Sequence, residues 1–314
     1  MTYTKVNAEN RVKEKPGFQV WWRLLRPHTL TASFVPVFIG TMLALLDGKF
    51  HFLLFITMLL ASIIIQAATN MFNEYYDYKR GLDNEESVGI GGTIVRDGVS
   101  PQLVKKLAFG FFGLAMLLGI YICIESSWWI CLVGLICMLC GYLYTAGPYP
   151  IAYSPLGEVV SGLLMGTAII GISYYIQTLS INWDVILISI PVAIFIGCIL
   201  LSNSIRDLEE DQENGRKTLA ILLGRDKAIY LLAGLMISAY LLSAIFMMIG
   251  LLPIYSLISL FAIKKTKQAI ILFKANTTNI GMAPAMGATA KTNTMYGMLI
   301  GMSLLIHYFF PLSL

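Results

Sequence analysis

Apolar runs long enough to cross a bilayer recur along almost the whole chain, and they restrict its folding more than any other feature. A spanning helix needs about 20 mostly apolar residues. In hydrocarbon each backbone amide must be satisfied inside its own segment, so helices are the natural solution. Approximate spans fall at 29–46, 52–72, 103–122, 128–145, 157–178, 184–203, 228–248, 251–263 and 293–312. The eighth is short and contains Pro253, so a tilted or partial span is expected there. Composition agrees: 57% of residues are hydrophobic and 13% charged, whereas a soluble domain carries about 25% charged residues. The expected fold is all-α, a polytopic membrane helix bundle of about nine transmembrane helices around a central cavity. Residues 1–28 form a polar tail, and 29–314 form one membrane domain.

The charges orient this bundle. With nine spans, every Lys and Arg except Lys49 falls in or at the edge of the N-terminal tail and the loops 2–3, 4–5, 6–7 and 8–9. The positive-inside rule places those segments in the cytosol. The first 26 residues are polar and basic and lack a secretory cleavage pattern, so a retained cytosolic N-terminus is expected. The long loops, 73–102 and 204–227, then form cytosolic caps between helices 2–3 and 6–7, and chemistry is expected at that face. A net charge of +4 without a polar basic domain argues against nucleic acid as a partner. The five Cys lie in or beside apolar runs and read as packing residues. His28, His51 and His307 are too scattered to suggest a metal site.

Two polar motifs interrupt this pattern in the same way. "NMFNEYYDYKRGLD" ends the second span, and "NSIRDLEEDQENGRKT" ends the sixth. Asn73 stands four residues before Asp77, and Asn203 four before Asp207; Asp211 follows four later. Residues spaced by four share a helix face. Asp83 lies off that face if the helix continues, but Gly81 is placed to end it. Both sets of acids sit at helix C-termini, where the dipole is already negative, so a cation would offset their cost. Carboxylate and amide oxygens without Cys or His suit a hard ion such as Mg2+, with Mn2+ as a substitute. The expected ligands are Asn73, Asp77, Asp83, Asn203, Asp207 and Asp211. Lys79, Arg80, Arg96, Arg216 and Lys217 flank them. Acids and bases around one pocket point to a polyanion bridged by metal.

These motifs resemble those of the UbiA superfamily of intramembrane prenyltransferases, which carry Asp-rich motifs after helices 2 and 6. The first family pattern, N-D-x-x-D-x-x-x-D, is altered here: Glu74 replaces the first Asp, and the last acid is Asp83 because position 81 is Gly. The second, D-x-x-x-D, is intact at Asp207 and Asp211. The D-x5-D form, with "GGTIVRDGVSP", "YTAGPYPIAYSPLGE" and "RDLEEDQENGRKTLAILLGR", is similar to the branch that prenylates 1,4-dihydroxy-2-naphthoate in menaquinone synthesis. The resemblance implies transfer of a polyprenyl group from a prenyl diphosphate to that acceptor, with loss of CO2, giving demethylmenaquinone. A plasma-membrane enzyme is expected, with catalytic roles for Asp77 and Asp207, the paired positions of the two motifs, and for Lys217 in the loop after the second motif. Arg26, Lys79, Arg96, Arg216 and Lys217 are the expected diphosphate contacts, although Arg26 is equally placed to snorkel as a positive-inside residue. Tyr142 and Tyr144 either line the cavity, steadying a carbocation with their ring faces, or belong to an interfacial belt. Glu158 either meets the acceptor or complements a helix N-terminus. Two rivals stay open at this point: a branch using 4-hydroxybenzoate, haem or a chlorophyll precursor, and a cation-coupled transporter.

Overall fold

The structure, a computed structural model, describes residues 17–82 and 92–312. Among these residues all regular structure is helical. A short amphipathic helix, α1 (Phe18–Leu25), runs into α2 (Pro27–Leu46) and then α3 (Phe52–Arg80). The small helix α4 (Thr93–Arg96) precedes α5 (Pro101–Glu125) and α6 (Trp129–Leu143). The second half comprises α7 (Gly157–Thr178), α8 (Trp183–Arg206), the short α9 (Leu208–Glu213) and α10 (Leu219–Leu223), then α11 (Arg225–Met248), α12 (Ile263–Ala275) and α13 (Asn279–Phe309).

The boundaries follow from local chemistry. The His51 side chain caps α3 by accepting the Leu54 N–H at 3.3 Å. Gly81 ends that helix in the left-handed region at φ 77°, as expected, and Leu82 N–H returns to Asp77 O at 3.0 Å. Asn182 caps α8 by accepting the Val185 N–H at 2.9 Å. At 29 residues, α3 is about 43 Å long, against about 30 Å of hydrocarbon. Its last turns therefore carry Asn73 to Arg80 beyond the apolar layer as helix, where the sequence suggested a loop from 73.

Packing joins α3 to α5, α2 to α7 and α13, and α8 to α7, α11 and α13. The approach of α7 to α8 is especially close. A Cβ at Gly162 or Gly166 would lie 2.6 Å from the Ala193 backbone, so both positions need glycine. A π-helical stretch over Gly162–Ala168 marks the same contact. One large core links α2, α7, α8, α11, α12 and α13, while Leu24, Phe72, Tyr75, Ile94 and Val104 form a smaller core under α1, α3 and α5. The outer faces of α5, α6 and α11 expose Leu117, Ile124, Leu139, Ile237 and Leu241. In water such a surface would drive association; against lipid tails it is the favourable one.

The expected nine spans are only partly realised. Among the described residues six helices are long and apolar enough to cross a membrane: α2 from Thr29, α3, α5, α7, α8 and α11. The fourth expected span, α6, is apolar but shorter. The eighth begins as a 3-10 helix, Ile254–Ala262, and continues as α12 through Lys264, Lys265 and Lys267. Its buried residues explain the change of pitch. Ser256, Ser259 and Ala262 recur every third residue, one face of a 3-10 helix. Thr266, Ala269 and Phe273 then recur with the spacing of an α-helix. The ninth starts at Asn279 rather than 293, so most of the expected loop 8–9 is helix.

Candidate active site

Helices α3 and α8 bring the two motifs to one polar pocket of about 200 Å3. Asn73 and Asp77 line it from α3. Asn203 reaches it from the end of α8, Asp207 from the bend after that helix, and Asp211 from α9. Arg26, Tyr144 and Arg216 complete the groups expected from sequence that line it. The pocket adjoins an apolar chamber of about 460 Å3 lined by α2, α3, α5, α6, α7 and α8. Arg26, Thr29, Asn73, Tyr144, Leu200 and Asn203 line both spaces and form their junction. Cys123, Cys131, Cys137 and Cys140 line the chamber as free thiols.

The two halves are tied across the pocket by Arg216. Its Nη2 lies 3.1 Å from Asp77 Oδ1, and its Nη1 lies 2.9 Å from Asp211 Oδ1. The guanidinium stands over the Tyr153 ring at 4.9 Å, and Arg80 lies over the same ring at 5.2 Å. Arg80 also donates to Thr145 O and Gly147 O at 2.5 and 2.9 Å, which anchors the segment carrying Tyr144. Burial pushes the Asp211 carboxyl up to about 7, with Asp207 and Asp77 adding to the rise against the pull of Arg216. Burial works against the Arg216 charge, but Asp77 and Asp211 more than offset it, and its pKa rises above the ordinary arginine value.

Asp207 has its own partner, which the sequence reading missed. Arg206 grips it through two 2.6 Å hydrogen bonds, Nε to Oδ1 and Nη2 to Oδ2, while Nη1 meets Met286 Sδ at 3.0 Å. Adjacent residues on a helix do not face each other, so helical periodicity offers no reason to pair them. Asp207 has left the helix, at φ −94° and ψ 16°, and its carboxylate turns back onto the preceding arginine.

Unpartnered buried atoms are concentrated here. Asn73 Oδ1 and Asn203 Oδ1, the paired amide oxygens, accept no hydrogen bond. On the donor side the same is true of Arg26 Nε, Arg216 Nε, Thr145 Oγ1 and Thr218 Oγ1. All six belong to residues lining the pocket. Hard oxygen acceptors beside cationic and hydroxyl donors fit Mg2+ together with an oxyanion. Among the described residues no three His, Cys, Asp or Glu form a cluster able to hold a metal by themselves. Mg2+ commonly takes one or two carboxylates and completes its shell from a bound phosphate, so the pocket suits an ion delivered with its ligand.

Other expected site residues are placed differently. Lys217 is exposed and does not line the pocket. Residues 216–218 lie between α9 and α10 without regular structure; Arg216 and Thr218 line the pocket, and Lys217 is exposed. The Lys217 main-chain N–H instead holds Tyr153 O at 2.9 Å. Lys79 and Arg96 are exposed and outside the pocket lining. Tyr142 turns away from both spaces, bonding Tyr76 Oη at 2.6 Å and packing edge-on against Phe72. Glu158 is buried but lines neither space; it accepts from Ser204 Oγ at 3.1 Å and ties α7 to α8. Asp83 lies outside the described residues.

Known proteins resemble this chain in sequence and in fold. The model of the UbiA prenyltransferase family matches residues 33–279. A protein of Bacillus subtilis (strain 168) named 1,4-dihydroxy-2-naphthoate octaprenyltransferase is 52% identical over 297 residues, 95% of each chain. A UbiA homolog from Aeropyrum pernix K1 superposes with a TM-score of 0.68 at 14% identity, covering 89% of this chain and 98% of that one. A UbiA homolog from Archaeoglobus fulgidus bound to DMAPP and Mg2+ gives 0.61 at 18% identity, covering 89% and 98%. The helical architecture, the paired Asn–Asp motifs at one pocket and the match over most of the sequence lead to one conclusion: the chain belongs to the UbiA prenyltransferase family.

Proposed function

We propose that this protein transfers a polyprenyl group from a prenyl diphosphate to 1,4-dihydroxy-2-naphthoate with loss of CO2, giving the demethylmenaquinone skeleton. The observation that carries the reading is the junction of a charged pocket with an apolar chamber. A prenyl diphosphate has the same two-part character, and the relative from Bacillus subtilis is named for this reaction. Family membership sets the transporter reading aside.

Asn73, Asp77, Asn203, Asp207 and Asp211 would hold Mg2+, or Mn2+ in its place, with Asp83 as a further ligand. The ion would neutralise charge on the diphosphate oxygens. Arg26 and Arg216 direct their donors into the same pocket and stabilise the leaving group as the allylic C–O bond breaks. Arg206 fixes the orientation of Asp207, and Tyr153 steadies Arg216 from its ring face. The chamber excludes water from the allylic cation, and Tyr144 stands at its mouth. The electron-rich ring carbon bearing the carboxylate forms the new C–C bond. The bond to CO2 then breaks and returns its electron pair to the ring. Basic residues at the ends of the helices support a plasma-membrane protein with a cytosolic N-terminus and a site open to the cytosol.

Purified protein should be supplied with Mg2+, prenyl diphosphates of several lengths and either 1,4-dihydroxy-2-naphthoate or 4-hydroxybenzoate, with products identified by mass spectrometry. Decarboxylated prenyl-naphthoquinol is the expected product. Prenylated hydroxybenzoate with no naphthoate product would refute the acceptor assignment.

A further inference from the structure

Among the described residues, Glu74 is the acid of the first motif that does not line the pocket. It is fully buried, and its carboxylate meets α4 and Arg26. Its Oε1 accepts the Thr93 hydroxyl and the Ile94 N–H, the latter at 3.1 Å, which ties α4 to α3. Its Oε2 has no hydrogen-bond partner and lies 3.8 Å from Arg26 Nη2. A buried carboxylate is costly without a cation nearby, so Glu74 and Arg26 restrain each other.

Arg26 itself sits in a backbone conformation that needs support. It joins α1 to α2 at φ 51° and ψ 64°, the left-handed region that side chains other than glycine rarely adopt. Asn70, one helical turn before Glu74, supplies that support. Its Nδ2 donates to Leu25 O and to Thr29 Oγ1, both at 2.9 Å, and its Oδ1 accepts from Gln66 at 3.2 Å. Thr29 in turn bonds Arg26 O through both its N–H and its hydroxyl, each at 2.9 Å. The outcome is a guanidinium held where the charged pocket meets the apolar chamber, with a buried, unpartnered Nε.

We propose that Asn70 and Glu74 are positioning residues that hold Arg26 at this junction, so that it meets the diphosphate where the prenyl chain joins it. The proposal rests on the diphosphate reading above. It gives the i, i+4 pair Asn70–Glu74 a role distinct from that of Asn73–Asp77 on the same helix.

The test is a double-mutant cycle read by binding rather than turnover, so the identity of the acceptor does not enter. Inorganic diphosphate with Mg2+ is titrated calorimetrically into the full-length protein in detergent, for wild type, Glu74→Gln, Arg26→Ala and the double variant. Glu74→Gln keeps the acceptor for Thr93 and Ile94 but removes the charge facing Arg26. It should weaken binding about tenfold, the size expected for losing the orientation of one charge-assisted contact. Arg26→Ala should weaken it at least as much, and Glu74→Gln should add nothing in that background. A merely structural role would lower the melting temperature yet leave the affinity of the folded fraction unchanged. That result, or losses that multiply in the double variant, would overturn the proposal. Should Glu74→Gln not purify folded, Asn70→Ala enters the same cycle with the same two outcomes. Wild-type protein that binds no magnesium diphosphate would instead sink the diphosphate reading itself.

Discussion

Replacing Arg216 with Gln removes the one side chain that, among the described residues, touches an acid from each motif. Its guanidinium lies 3.1 Å from Asp77 and 2.9 Å from Asp211, and the three side chains are only 18%, 19% and 9% exposed. Breaking a buried ion pair costs about 3–5 kcal/mol, because the remaining charge stays buried without its partner. Partial exposure places this case at the lower end, about 3 kcal/mol of stability. Catalysis suffers separately. A preorganised donor aimed at developing charge is worth about 100–1,000-fold in kcat. Arg216→Gln should therefore melt earlier in the absence of ligand and also turn over at least about 100-fold more slowly when equal amounts of folded enzyme are compared. Lys217→Ala is the internal control. Its side chain faces solvent, so kcat should stay within about threefold of wild type, in the range of ordinary surface substitutions. Steady-state assays with labelled prenyl diphosphate decide the matter. If Lys217→Ala loses activity and Arg216→Gln keeps it, the inward and outward assignments are reversed and the reasoning fails.

Three further outcomes follow from the same geometry. Asp77→Asn and Asp207→Asn should each abolish turnover with the protein still folded in detergent; near-normal activity in either would remove the shared-pocket argument. Treatment with EDTA should stop turnover and Mg2+ or Mn2+ should restore it, so full activity after chelation would exclude the metal reading. The raised Asp211 carboxyl sets a pH dependence. Its folded value of about 7 lies above its unfolded one, so its protonation stabilises the ligand-free fold below about pH 4, and that contribution is lost as pH rises through about 7. Turnover should change in the opposite sense, rising through the same window as the carboxylate becomes available to a cation. Asp211→Asn should flatten the stability profile between pH 5 and 8; a wild-type and a variant profile of equal slope would refute the assignment.

The sequence by itself determined that the chain is a helical membrane bundle, because continuous apolar runs of about 20 residues satisfy their backbone in lipid as helices, whereas barrel strands are shorter and alternate in polarity. It also determined the Gly81 stop and the pairing of Asn73 with Asp77, since both depend only on local backbone geometry and helical periodicity. What it could not determine was the direction of each neighbouring side chain. Arg216 and Lys217 are adjacent, and so are Asn73 and Glu74; which member of each pair enters the pocket depends on how its segment is rotated against the rest of the bundle. Tyr142 and Tyr144 were separated in the same way by the seating of α6 beside α3. The 3-10 pitch of Ile254–Ala262 came from packing Ser256, Ser259 and Ala262 as one stripe against its neighbours. Arg206 pairs with Asp207 only because the chain leaves the helix between them. These features are contacts between segments distant in sequence or at the ends of helices, where local periodicity ends, so only the tertiary structure decided them.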